Sequence, residues 1–196
     1  MADKHTSSQF DADLHRIMSK VLEMGGIVES QLINATEALN RFDLELVDKV
    51  IEEERRLNAM EVEIDAECGN VIARRQPTAS DLRLLMASSK AVTNLERAGD
   101  EARKIAKRTR RLANDEARKI INTAEIRSSG QMATAILHRA LDAFARLDVV
   151  AAAQIVREDE AIDAQYRAFM RKLTTAMTEN PRVISSGLDY LSMHRP

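Results

Sequence analysis

Tryptophan is missing from this chain, and tyrosine and phenylalanine bring the aromatic share to only 3%. That scarcity removes the stacking platforms on which single-stranded nucleic acids are bound. One cysteine, Cys68, excludes an intrachain disulfide and fits a reducing compartment. Six glycines and three prolines in 196 residues leave few breaks, and strand-type alternation is hard to find, so the chain reads as nearly all helix. No apolar run approaches the roughly 18 residues of a membrane span, and the polar N-terminus carries no export-type apolar segment. The expected location is cytoplasmic. Charge of one sign is lacking as well: 31% of residues are charged, yet the formal net charge is −2, so no bulk pull toward nucleic acid follows.

What is present is enough apolar material, 44%, for one large domain or two small ones. The pattern predicts a first helix over about Ser8 to Arg41, interrupted or loosened at Gly25-Gly26. Asp43 then caps a second helix, about Leu44 to Arg74, with Val50, Leu57, Ile64 and Val71 at seven-residue spacing. Gln76-Pro77 ends it, and Thr78-Ala79-Ser80-Asp81 reads as a variant capping box for a third helix running to about Ala113. The buried stripe of that third helix is expected to be Leu85, Val92, Leu95, Ala98, Gly99, Ala102, Ile105 and Leu112. Asn114 and Asp115 would cap a fourth, interrupted near Ser128-Ser129-Gly130 and ending near Arg146.

The pattern then restarts. Arg41-Phe42-Asp43-Leu44 is echoed by Arg146-Leu147-Asp148-Val149, and at the same offset of 105 Val50 meets Ile155, Glu53 meets Glu158, Leu57 meets Ile162 and Ile64 meets Phe169. Asn180-Pro181 takes the part of Gln76-Pro77, and a sixth helix opens near Ser185 or Ser186. A weak internal repeat of a three-helix unit follows. With short connections between antiparallel neighbours, the expected fold is all-α, two tandem up-down-up three-helix bundles over residues 1–114 and 115–196. The repeat mate of Glu96 would fall at about 201, past Pro196, so the second bundle is expected to lack most of its last helix. An exposed apolar groove lined by Ile155, Ile162 and Phe169 should result, to be covered by a rearranged terminus, a dimer partner or aggregation.

Two features could carry chemistry. Glu96 and Asp100 lie one helical turn apart on one face of the third helix, where like charges repel by roughly 0.2–0.5 kcal/mol. Asp100 has candidate partners in Arg97, Arg103 and Lys104, whereas Glu96 has no base among its helical neighbours and needs one from another helix, a cation or water. Glu53 fills a seam position where leucine would be the plain choice, and with Glu54 it is a candidate to face Glu96 and Asp100. Converging carboxylates suit hard or borderline cations. The plainer reading pairs these acids with Arg55, Arg56 or Arg97 at the bundle rim. The run Arg103, Lys104, Lys107, Arg108, Arg110, Arg111 is either a helix end favoured by the macrodipole or a contact for an acidic surface. His138 is a lone helical histidine, no Glu-x-x-His occurs, and Gly25-Gly26 is no phosphate loop.

Several stretches resemble the PhoU family of phosphate-signalling regulators: Val21-Leu22-Glu23-Met24-Gly25-Gly26, residues 75–83 (Arg-Gln-Pro-Thr-Ala-Ser-Asp-Leu-Arg), Leu95-Glu96-Arg97-Ala98-Gly99-Asp100, Leu141-Asp142-Ala143-Phe144-Ala145-Arg146-Leu147-Asp148 and Arg157-Glu158-Asp159. The resemblance covers about Ser8 to Leu191. It implies a non-enzymatic negative regulator of the phosphate-starvation response that limits high-affinity phosphate uptake. The implied partners are the transporter's ATPase subunit and a sensor histidine kinase, with membranes reached only through partners; a homodimer is also expected, and no nucleic-acid partner. It also implies a metal ion or cluster (iron, magnesium, manganese or zinc) at the family's acidic motif, matched here by Glu96 and Asp100. The competing readings are a carboxylate-bridged metalloenzyme and a purely structural helical module.

Overall fold

The computed structural model describes the backbone of residues 3–115 and 120–193 and the side chains of 9–115, 120–158 and 162–193. His5, Asp159 and His194 fall outside the described side chains. Six helices follow one another: α1 (Asp3–Arg41), α2 (Leu44–Arg75), α3 (Ala79–Leu112), α4 (Ala124–Arg146), α5 (Val149–Glu179) and, after a 3-10 turn at Pro181–Val183, α6 (Ile184–Ser192). No strand occurs among the described residues. The chain is an all-α bundle protein.

The repeat is visible in the joints. Phe42 and Leu147 both turn with positive φ, 55° and 53°, and the next residue caps the next helix in each case. Asp43 accepts from the Glu45 and Leu46 amides, and Asp148 from the Ala151 amide. Ala79 and Ile184, which open α3 and α6, are also 105 apart. At Thr78 the expected capping box is replaced: its hydroxyl donates to Asp81 Oδ2 at 2.9 Å and no side chain bonds the helix backbone. The fourth helix starts nine residues later than a cap at Asn114 would place it, with Asn122 Oδ1 accepting from the Ala124 amide; residues 116–119 lie outside the described set.

Neither glycine site interrupts its helix. Both α1 and α4 run through unbroken, and the glycines are crossing points instead. A Cβ on Gly25 would overlap the Leu141 side chain of α4, and one on Gly130 would lie 2.5 Å from Thr36 Oγ1 of α1. Gly130 is Gly25 plus 105 and Leu141 is Thr36 plus 105. The α1–α4 contact is thus an approximate two-fold: each repeat lends a glycine to the other's side chain, as in an isologous interface.

In the first repeat, Ile17, Val21, Met24 and Val28 of α1 pack with Leu57, Ile64 and Cys68 of α2 and Leu85, Val92 and Leu95 of α3. Of the expected α3 stripe, Ala98 and Ile105 are half-buried and the rest are buried. Toward the other end, Ala102 and Ala106 close over Ala35, Ala38, Val47 and Val50. The second repeat begins the same way, with Tyr190 packed on Phe169 and Leu173 as Leu85 packs with Ile64 and Cys68. Phe169 is therefore sealed at 1% exposure rather than left in a groove. α6 has nine residues against thirty-four in α3. Beyond its reach, Ala140, Ala143, Ala152 and Ile155, the repeat mates of Ala35, Ala38, Val47 and Val50, line an open groove of about 470 Å³. Ile162 lines a separate cavity of about 290 Å³ with Ser129, Tyr166 and Met193. The groove foreseen from sequence exists, but with Ile155 alone of its three named residues on the α4–α5 wall.

Candidate functional site

The carboxylates picked out by spacing come together along the α2–α3 seam, and the cation among them is a side chain. Small residues at Gly99 and Ala102 let α3 lie close to α2, so close that a Cβ on Gly99 would stand 2.8 Å from Leu57 Cδ1. That approach turns Glu54 of α2 toward Arg103 of α3, whose Nε lies 2.6 Å from Glu54 Oε1. The N–H is not aimed at the oxygen, so the contact is electrostatic rather than a hydrogen bond. The same guanidinium donates through Nη2 to Asp100 Oδ1. Lys104 Nζ sits 2.8 Å from Asp100 Oδ2 and 2.8 Å from Glu101 Oε1.

The two carboxyls of the motif therefore live in opposite fields. Burial pushes Asp100 upward, but hydrogen bonds from Arg103 and Lys104, reinforced by their charges, outweigh it and hold the carboxyl below its ordinary range. Glu96 is raised, first by burial and then by the charges of Glu61, Asp100 and Glu54, with Arg103 pulling the other way. Among the described residues its carboxyl has no hydrogen bond or ion pair. The guanidinium of Arg103 is itself held more firmly charged, chiefly by its bond to Asp100.

Of the four residues expected to hold a metal, Glu54 and Asp100 meet at Arg103, Glu96 stands one turn away, and Glu53 keeps a buried Oε2 with no hydrogen-bond partner. That orphaned oxygen is the feature that fits a cation. The rest does not: both oxygens of Asp100 and one of Glu54 face cationic side chains, and among the described residues no three or more Asp, Glu, His or Cys side chains are grouped so as to hold a metal ion. The rim pairing expected of Arg55, Arg56 and Arg97 is not what neutralises the seam; Arg56 reaches Glu23 of α1 at 2.7 Å instead.

Two participants were not singled out by sequence as part of this seam. Glu61 faces Glu96 from α2. Gln31 of α1 is fully buried, donates to the Val50 carbonyl at 3.3 Å and leaves Oε1 without a partner against Gly99. Its signal was available, a glutamine in line with the apolar series Ile17, Val21, Met24, Val28, Ala35 and Ala38.

Elsewhere the plain readings hold. His138 is exposed, with Nδ1 3.2 Å from Glu29 across the α1–α4 cleft. Cys68 is buried, which pushes its thiol up to about 11, far from a reactive thiolate. In the basic run, Arg110 pairs with Asp48 and Arg108 donates to the Ser192 carbonyl, while Lys107 and Arg111 are exposed. No helix among the described residues is long and apolar enough to cross a membrane.

Comparison with known proteins agrees with this architecture. The family model described as the PhoU domain matches residues 21–109 and again 126–195, one match per repeat. A phosphate-specific transport system accessory protein PhoU homolog from Burkholderia sp is 50% identical over 98% of this chain and 82% of its own length. The phosphate-specific transport system accessory protein PhoU of Escherichia coli is 43% identical over 96% and 78%. The crystal structure of PhoU from Pseudomonas aeruginosa superposes with a TM-score of 0.90 at 41% identity, covering 95% of this chain and 88% of that one. With both repeats matched and the same helical arrangement in a solved relative, this chain belongs to the PhoU family.

Proposed function

We propose that this chain is a non-enzymatic accessory protein of phosphate transport, a negative regulator that restrains high-affinity uptake and the phosphate-starvation response when phosphate is plentiful. It does so in the cytoplasm by protein contact, linking the transporter's ATPase subunit to a sensor histidine kinase. The observation that carries this reading is similarity along 96–98% of the chain to proteins named as accessory to the phosphate-specific transport system. Two physical features support it. Glu54 and Asp100 of the α2–α3 seam are taken up by Arg103 and Lys104 instead of standing as a nucleophile and base, and the two-fold α1–α4 contact fixes two bundles as one platform with extended helical faces.

In a bacterial host lacking its own member of the family, the chain is expected to lower a starvation-promoter reporter at high phosphate. In pull-downs it should retain the ATPase subunit and the kinase. A reporter unchanged by the chain, together with no retention of either partner at high or low phosphate, rejects the reading.

A further inference from the structure

We propose that Arg103 is the resident cation of the acidic seam, bridging Glu54 of α2 and Asp100 of α3 where a metal ion would otherwise sit, so that the chain holds no metal there while Arg103 is in place. This does not depend on the regulatory reading, since it concerns only what neutralises the motif.

Glu54 and Glu61 from α2 and Glu96, Asp100 and Glu101 from α3 line or approach the seam, with Arg103 and Lys104 as the cations among them. The seam needs positive charge, and a guanidinium supplies it to two helices at once, Nε to Glu54 and Nη2 to Asp100. Its planar fork suits two carboxylates, and it stays charged at any pH the fold survives. A hard divalent cation asks for about six oxygens at roughly 2.0–2.6 Å. To gain them it would have to enter a site where Asp100 already faces Arg103 on one oxygen and Lys104 on the other. What remains is Glu96, whose carboxyl no side chain among the described residues holds, and one such ligand leaves the ion mostly hydrated.

Removing the guanidinium reverses this. Glu54 and Asp100 lose their shared counter-ion one turn from Glu96, and these carboxylates, which are not grouped to hold a metal while two of them face Arg103 and Lys104, are then free to turn toward a divalent ion that relieves their repulsion.

The test uses the full chain, stripped with chelator and then equilibrated with manganese(II) or iron(II), with metal content by elemental analysis and melting temperature with and without the ion. The wild type is expected to retain well under one equivalent and to show no metal-dependent shift in melting. R103M should retain about one equivalent and melt higher with the ion, and R103M/D100N should lose both effects. Should R103M be unfolded when stripped, refolding on addition of manganese(II) supports the proposal and failure to refold overturns it. A wild-type protein that retains stoichiometric metal released by D100N overturns it, as does a folded R103M that binds no more than the wild type.

Discussion

The two repeats show what a third helix does to the same pair of faces. Ala35, Ala38, Val47 and Val50 are fully buried because Ala102 and Ala106 of α3 lie on them. Of their mates in a similar apolar pattern, Ala143 and Ile155 are still buried at 3% and 7%, but Ala140 is half-buried and Ala152 exposed, and all four line an open groove flanked by Val149 and Val156 at 78% and 75% exposure. An apolar stripe is therefore a requirement for burial and not a guarantee of it. Where α6 is present, as at Phe169, Leu173 and Tyr190, the second repeat packs as the first does. Coverage by the third helix, and not the quality of the first two, separates core from groove.

The sharpest way to break this comparison is to truncate matched side chains. Leu57→Ala should cost about 2–5 kcal/mol of unfolding free energy, since Leu57 is fully buried against α1 and α3. Ile162→Ala, at the matching position but half-buried beside a cavity, should cost roughly 1 kcal/mol or less. Urea denaturation measures both. Equal losses would mean that the second repeat is as well packed at this level as the first.

A second pair probes the two-fold contact. Gly25→Ala and Gly130→Ala each gain about 1 kcal/mol of helix propensity but force a methyl into Leu141 or Thr36, an overpacking of about 1–3 kcal/mol. Both should be net destabilising, and the double variant should depart from additivity because both act on one interface. A stabilised single variant would show that the α1–α4 crossing yields without strain.

The smallest effects lie within the α2–α3 seam and have opposite signs. Asp100 is held below its ordinary range, so its contribution is present at neutral pH and lost as pH falls through its folded-state value. Asp100→Asn should destabilise by up to about 1 kcal/mol at pH 7, with the difference from wild type shrinking below about pH 4. Glu96 is raised, so its ionised form is penalised in the fold at neutral pH and the penalty disappears as the group protonates. Glu96→Gln should stabilise by about 0.2–0.5 kcal/mol at pH 7, with the gain vanishing toward pH 4. Two substitutions of the same sign would sink the account of opposed fields.

Much of this was legible without coordinates. The helix ends at Arg41 and Arg146, the caps Asp43 and Asp148 and the repeat offset follow from residue types whose local conformational preferences act over a few positions. Arg103 and Lys104 as partners of Asp100 follow equally from helical spacing. The same rules misread Gly25 and Gly130, because a glycine's cost to a helix is local while its use here is a neighbour's approach.

By itself, then, the sequence determined an all-helical chain with two matching repeats and an acidic pair one turn apart, since periodicity, caps and i,i+4 spacing are properties of a single segment. Only the tertiary structure decided that Glu54 shares Arg103 with Asp100, that Glu61 faces Glu96, and that one pair of apolar faces is closed while its twin is open. Those outcomes depend on which face of one helix meets which face of another. That is set by close packing at a few small residues, such as Gly99 and Ala102, whose effect no single segment contains.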